Sequence, residues 1–437
     1  MDVIHRKREK SLGILELIAI ALGGMVGGGI FTILGISVSM IGAYTPIAII
    51  LGGIIASFAA YSYIKLAVYY QDEGATYSFF KKTFSSSAFA VSLIGWWVIF
   101  GYISTLALYS YTFSSYALSS FSFANDEFIR KLLAGIIILI FTIINIWSVK
   151  GMGKIEDLMV YTKLVILVVI SFVLINNSNT TIPILLQESK DIQFSSVLIV
   201  ASITFVAYEG FQLVINAVKE MDNPKKNIPV SIYSAIALAI LIYVIISLGA
   251  ILAISFDDII ANKEYALASG ANKVLGHWGN DLVIIGALLA TSSAISGTLF
   301  GASRQMSIIA KDGFFPKILE NRNSFNIPIN SIIAMALLAF CLVLSGSLKL
   351  ILEFGSVTFL IVSLLMAIAN YKIRDKTDSS SFTTIAAIFL LSSSTLLIIY
   401  YEFKVEIEQM IFIFAIYLIL TFFAWFYSRG KKVNTKS

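Results

Sequence analysis

Apolar residues come in long runs separated by short polar joints, and this pattern sets the architecture before any motif is considered. Twelve runs have the length that a helix needs to cross a bilayer, roughly 17–25 residues or more: 13-35, 45-67, 88-118, 132-149, 156-176, 196-218, 230-255, 281-305, 329-346, 350-371, 382-401 and 407-427. No linker or low-complexity stretch divides them. The expectation is an all-α polytopic membrane protein of twelve transmembrane helices, one domain over 1-437. The polar joint from Asp257 to Asn280 is long enough for a short helix lying across one mouth.

Two runs are interrupted in their middle. In the first, Gly23-Gly24-Met25-Val26-Gly27-Gly28-Gly29-Ile30-Phe31 holds five glycines in nine residues, each costing about 1 kcal/mol relative to alanine inside a helix. A backbone in hydrocarbon can break only where protein or a polar cavity shields it, so a break here points to a solute site near the midplane. The alternative is close helix packing, because Gly23 and Gly27, and Gly24 and Gly28, form G-x-x-x-G pairs. A nucleotide loop is excluded, since no Gly-Lys-Ser/Thr follows. In the sixth run, Ile203-Thr204-Phe205-Val206-Ala207-Tyr208-Glu209-Gly210-Phe211 places aromatic, polar and charged residues at the equivalent depth. Two facing broken helices fit a pair of inverted repeats, helices 1–5 over 13-176 and 6–10 over 196-371. Helices 11 and 12, over 382-427, are then peripheral.

Composition agrees: 58% hydrophobic residues, 13% charged, and a mean hydropathy of +0.88 belong to a membrane protein. The first run is too long for a signal peptide's apolar core, and no small-residue cleavage site closes it, so it is expected to stay in the mature protein. Twelve spans put both ends on one side; 23 of the 31 lysines and arginines then share that side, 7 lie opposite, and Lys163 falls within a span. Such asymmetry places both termini in the cytoplasm, with the chain multi-pass in the cell membrane. The net charge of +5 is spread over loops, so no nucleic-acid partner is expected. With one cysteine, Cys341, and two distant histidines, His5 and His277, no disulfide framework, metal or cofactor is expected.

Lys163 sits roughly 10 Å along its helix, with no acidic neighbour nearer than Asp157. A charged lysine there either snorkels back to the headgroups or trades a proton. Glu209 is open to three readings: a second proton site, a partner for a cationic substrate, or a carboxyl bonded between helices. Glu16, in the first turns of helix one, reads as an anchor at the membrane edge, and Glu353 also falls within an apolar run.

Three motifs in order resemble the amino acid-polyamine-organocation transporter superfamily over helices one to ten. Val26-Gly27-Gly28-Gly29-Ile30-Phe31 resembles its first-helix signature, with Gly28 where serine or alanine is usual. Glu220-Met221-Asp222-Asn223-Pro224-Lys225-Lys226-Asn227-Ile228-Pro229 resembles its loop after helix six. Arg304, with Ala310-Lys311-Asp312-Gly313 and Pro316, resembles its motif after helix eight. The resemblance implies a LeuT-like 5+5 inverted repeat with broken helices 1 and 6 and alternating access to a central site. It implies that a substrate carboxylate meets N–H groups of Gly28 and Gly29, and its ammonium the carbonyls of Met25, Ile203 and Val206. Phe205 and Tyr102 would face the substrate side chain. Helix dipoles favour such main-chain recognition.

The chain is also similar to an archaeal proton-coupled amino-acid transporter of this superfamily that has a lysine at the matching place in helix five. There the ammonium occupies the position of a sodium ion in sodium-coupled relatives. Lys163 then stands beside first-helix carbonyls and the helix-eight residues Thr291-Ser292-Ser293, with Ser292 and Ser293 equivalent to sodium ligands. The function expected is secondary active, sodium-independent, proton-coupled uptake of neutral amino acids, neutral because Glu209 is the one charge near the pocket. The alternatives are an exchanger, a cationic amino-acid or polyamine carrier, or a receptor that binds amino acids without moving them. An enzyme is not expected, because no catalytic set gathers at one depth, and a channel would need a continuous polar ring. The preferred amino acid and the oligomeric state stay open.

Overall fold

Hydrocarbon offers the backbone no partner, so each apolar run closes its own hydrogen bonds as a helix. The computed structural model describes residues 12–147 and 152–433, with side chains from 159 onward in the second stretch. Arg6, Lys7, Arg8, Lys10, Lys150 and Lys436, counted above toward the lysine-rich side, lie outside the described residues. So do His5 and the side chains of Lys154 and Asp157.

Helices α1 (Ile14–Met25) and α2 (Gly28–Ile41) divide the first expected segment, and α3 (Thr45–Tyr70) follows after one 3-10 turn. A short α4 (Ala75–Thr83) precedes α5 (Ala88–Leu118), α6 (Glu127–Trp147) and α7 (Met152–Asn176). After α8 (Ile182–Glu188), α9 (Phe194–Ile203) runs into a 3-10 turn at Thr204–Tyr208 and stops, to resume as α10 (Leu213–Asn216). The second half continues with α11 (Pro224–Ala253), α12 (Phe256–Ala261), α13 (Ala266–Leu275) and α14 (His277–Lys311). It ends with α15 (Ile329–Ser345), α16 (Leu348–Lys372), α17 (Arg374–Thr377), α18 (Ser381–Val405) and α19 (Ile407–Ser428). Among the described residues there is no strand, only an isolated bridge between Leu12 and Met221.

Among the described residues, ten stretches are long and apolar enough to cross a membrane, while Ile14–Met25 and Ile329–Ser345 are shorter apolar helices. The difference from twelve lies at the first expected run, cut by its break, and at the ninth. Helix α11 begins six residues before the expected 230, because Pro224 occupies its first turn, where a missing N–H costs nothing. Hydroxyls mark other starts: Ser87 accepts from Ala90 N–H, Ser347 from Leu350 N–H and Ser380 from Thr383 N–H.

Burial is graded from centre to rim. Of the most apolar window in each stretch, 89% is buried over Phe194–Asn216 and 17% in α19, so the broken segment lies inside and α19 outermost. Helix α1 packs against α11, α14 and α7, and α2 against α5, α9 and α14, while α16 reaches this centre through α5 and the 3-10 turn after α9.

The polar joint expected to hold one short helix holds two, α12 and α13, which close over one end of α2. A side chain at Gly35 would strike the carbonyl of Lys263. Arg130, buried, pairs with Glu264 of this joint and donates to the Ala124 carbonyl. At the opposite end α4 is tied to the end of α14: Asp312 Oδ2 accepts from Tyr77 at 2.8 Å and from Lys81 at 2.7 Å. Trp96 Nε1 donates to Phe314 O at 3.0 Å, and Lys431 of the tail to Gly313 O. In the turn before α4, burial pushes the Asp72 carboxyl up, but bonds from Lys82 and the Gly74 N–H outweigh it. They hold Asp72 below the usual carboxylate range.

Asp312→Ala removes the acceptor shared by Lys81 and Tyr77, and breaking such a buried ion pair should cost about 3 kcal/mol. Thermal unfolding and protease cleavage near α4 report it. An unchanged midpoint would mean that this pair does not hold α4 in place.

Candidate functional site

The first break is a single non-helical step. Val26 stands at φ −81°, ψ 66° and Gly27 at φ −106°, ψ −140°, and α2 starts afresh at Gly28 with no side-chain cap. The first N–H groups of α2, those of Gly28 and Gly29 among them, therefore have no carbonyl one turn back to bond. The second break follows the 3-10 turn: Glu209 is extended, and Gly210 takes φ +125°, a conformation that side-chain-bearing residues rarely adopt.

These breaks meet backbone to backbone. A Cβ built on Gly210 would lie 2.5 Å from Gly24 C and 2.6 Å from Met25 N, and one on Gly29 would lie 3.0 Å from Ala207 Cα. The glycines thus serve both readings left open by the sequence, a break and a close approach. Tyr243 of α11 joins the two chains, its hydroxyl 2.7 Å from Met25 O and 3.0 Å from Ala207 O. Ser356 of α16 donates to Ile203 O at 2.7 Å, and the Val206 carbonyl receives the Glu209 N–H at 3.2 Å.

Lys163 is fully buried on α7. Its Nζ lies 3.0 Å from Gly23 O and 2.9 Å from Ser293 Oγ, so the side chain turns inward to the first break and to α14 rather than out to the headgroups. Three helices, α1, α7 and α14, converge on one ammonium. Ser293 makes this contact; Ser292, half-buried, does not.

Glu209 is buried beside the second break. Its Oε2 accepts from Gln212 Nε2, which also lies 3.3 Å from Tyr102 Oη, while Gln212 Oε1 receives the Gly210 N–H at 3.1 Å. Oε1 of Glu209 is buried without a hydrogen-bond partner, a costly state for a carboxyl. Tyr63, Tyr102 and Tyr109 stand within electrostatic reach of it. Tyr102 also packs edge-on to Phe359 at 5.6 Å, and Phe205 is fully buried in the 3-10 turn.

The remaining intramembrane acids are elsewhere. Glu16 is exposed in the first turn of α1. Glu353 is buried on α16, 3.7 Å from Lys349 and within electrostatic reach of Glu402. Sequence reasoning missed Tyr243, Ser356 and Gln212. Gln212 was findable as a polar residue three positions from Glu209; a tyrosine or serine in an apolar helix carries no such signal.

A model of the amino acid permease family matches residues 12–437. The chain is 27% identical to the inner membrane transport protein YbaT of Escherichia coli, over 99% of this chain and all of that one. It is 24% identical to the branched-chain amino acid permease BcaP of Bacillus subtilis, over 72% of this chain and 70% of the permease. To the mouse large neutral amino acids transporter small subunit 2 it is 27% identical, over 71% of this chain and 60% of that protein.

Gly210→Ala should lower stability by about 2–4 kcal/mol, adding backbone strain to overpacking against Gly24 and Met25. Gly276→Ala, at φ +73° with nothing within 4 Å, carries the strain alone. Equal unfolding midpoints for the two variants would show that the breaks do not depend on close contact.

Proposed function

This chain belongs to the amino acid permease family, and from that premise we propose a secondary active transporter that takes up neutral amino acids with protons and without sodium. The family and the relatives above are transporters rather than enzymes. The fold read here is twelve spans in a LeuT-like inverted repeat, with residues 13-176 and 196-371 as its halves and α18 and α19 outside it. Both termini face the cytoplasm. The breaks support this reading by their positions, near the start of each half.

The substrate carboxylate bonds the N–H groups of Gly28 and Gly29, drawn by the positive end of α2. Its ammonium bonds the carbonyls of Met25, Ile203 and Val206; Met25 O already accepts from the Gly27 N–H and the Tyr243 hydroxyl, so there the ammonium takes the place of the tyrosine. Phe205 and Tyr102 meet the substrate side chain. Neutral substrates are favoured because recognition rests on main-chain groups, and two relatives carry names for branched-chain and large neutral amino acids.

The observation that carries proton coupling is Lys163 Nζ between Gly23 O and Ser293 Oγ. Charge roughly doubles the strength of such bonds, so a proton gained or lost at Lys163 tightens or loosens α1 against α7 and α14. A resident ammonium also denies the spot to sodium. Glu209 is a second proton site in this scheme. Its buried, unpartnered Oε1 favours one further reading, a carrier for cationic amino acids or polyamines.

In proteoliposomes without sodium, an inward proton gradient should drive accumulation of labelled leucine, and a protonophore should abolish it. Lys163→Ala should cut accumulation about 100-fold, equivalent to losing one charged hydrogen bond of about 2.7 kcal/mol. Uphill, pH-driven uptake by that variant would overturn the coupling role. Unlabelled leucine should compete better than lysine or arginine. The reverse order, lost in Glu209→Gln, would select the cationic carrier.

A further inference from the structure

The end of α14 holds a second concentration of charge, remote from the helix breaks. Between this end and the segment after the 3-10 turn at Lys317–Glu320 lies a cleft of about 600 Å³, whose polar wall is formed by Ser307, Lys311, Glu320, Asn321, Arg322 and Asn326. The Arg322 guanidinium is oriented by two weak bonds, Nε to Ser307 Oγ and an Nη1 bond to Asn326 Oδ1, each 3.3 Å. Arg304, one turn before Ser307 on α14, is near enough to feel the charge of Arg322, and lies flat on Phe300 at 3.4 Å.

These cations are poorly neutralised. Asp312, the acid that follows Lys311 in the chain, is taken by Lys81 and Tyr77. Glu320 lies in the cleft wall, yet among the described residues it forms no ion pair with Lys311 or Arg322. A partly enclosed cleft focuses such unbalanced positive potential. The Arg322 guanidinium and the Lys311 ammonium, with the Asn321 and Asn326 amides, are a donor set that suits phosphate oxygens, and Arg304 adds positive potential from outside the lining. Beside the cleft, Ile318 is 61% and Phe325 80% exposed, apolar side chains placed where acyl chains would cover them.

We propose that this cleft binds a phosphate-bearing anion, either the headgroup of an anionic lipid or free phosphate. The site is independent of the solute carried between the breaks. It is tested on the delipidated full chain in neutral detergent, by the unfolding midpoint as phosphatidylglycerol, phosphatidylcholine or inorganic phosphate is added. A rise with phosphatidylglycerol alone assigns the lipid source, and a rise with inorganic phosphate as well assigns the free anion. Lys311→Gln/Arg322→Gln, which removes both cations of the lining, should raise the half-saturating concentration about tenfold or more, the loss expected for a charged hydrogen bond. Lys317→Gln, on the neighbouring turn but outside the cleft lining, should leave it unchanged. If the double variant does not fold, the single variant Lys311→Gln carries the same test. The proposal is overturned if neither anion shifts the midpoint, if phosphatidylcholine acts as well as phosphatidylglycerol, or if Lys317→Gln weakens binding as much as the cleft variants.

Discussion

A peptide group inside a bilayer has no water to turn to, and the whole arrangement follows from where this chain interrupts its helices despite that. The interruptions at Val26–Gly27 and Glu209–Gly210 are tolerated because each lies against the other, without side chains between them. What the helices lose in internal bonds is made up from outside by Tyr243 and Ser356, which stand on separate, unbroken helices. The surrounding long helices thus act as a rigid frame around two short stretches of bare backbone.

Charge inside the frame is sparse and differently supported. Lys163 is met by a carbonyl of α1 and a hydroxyl of α14, dipoles that two other helices bring to it. Glu209 has one oxygen engaged by Gln212 and one without a hydrogen bond. The two groups belong to different breaks, Lys163 to the first and Glu209 to the second.

Much of this was legible in the chain. Runs of apolar residues marked out the long helices, and the glycines at 23, 24, 27, 28 and 29 marked the first break, since no other residue type concentrates so strongly against helix propensity. The second break was visible in Tyr208-Glu209-Gly210, where a charge and a glycine interrupt a span. Lys163 stood out as a lone charge, but its direction did not: snorkelling and inward burial use the same residue, and only packing against α1 and α14 separates them. Hidden altogether was the partnership of Tyr243 with both breaks. It depends on three segments far apart in sequence, and tyrosine serves in many apolar helices. The two short helices of the joint after α11 were legible only as a polar stretch long enough to hold one.

A hydroxyl has a single hydrogen, and Tyr243 stands within bonding distance of two carbonyls, one from each break. It therefore satisfies them in alternation or by halves, never both in full. The two interrupted helices are coupled through that shortage: whatever donor arrives at one carbonyl releases the tyrosine to the other, so a change at one helix is felt at its counterpart without either backbone having to move first.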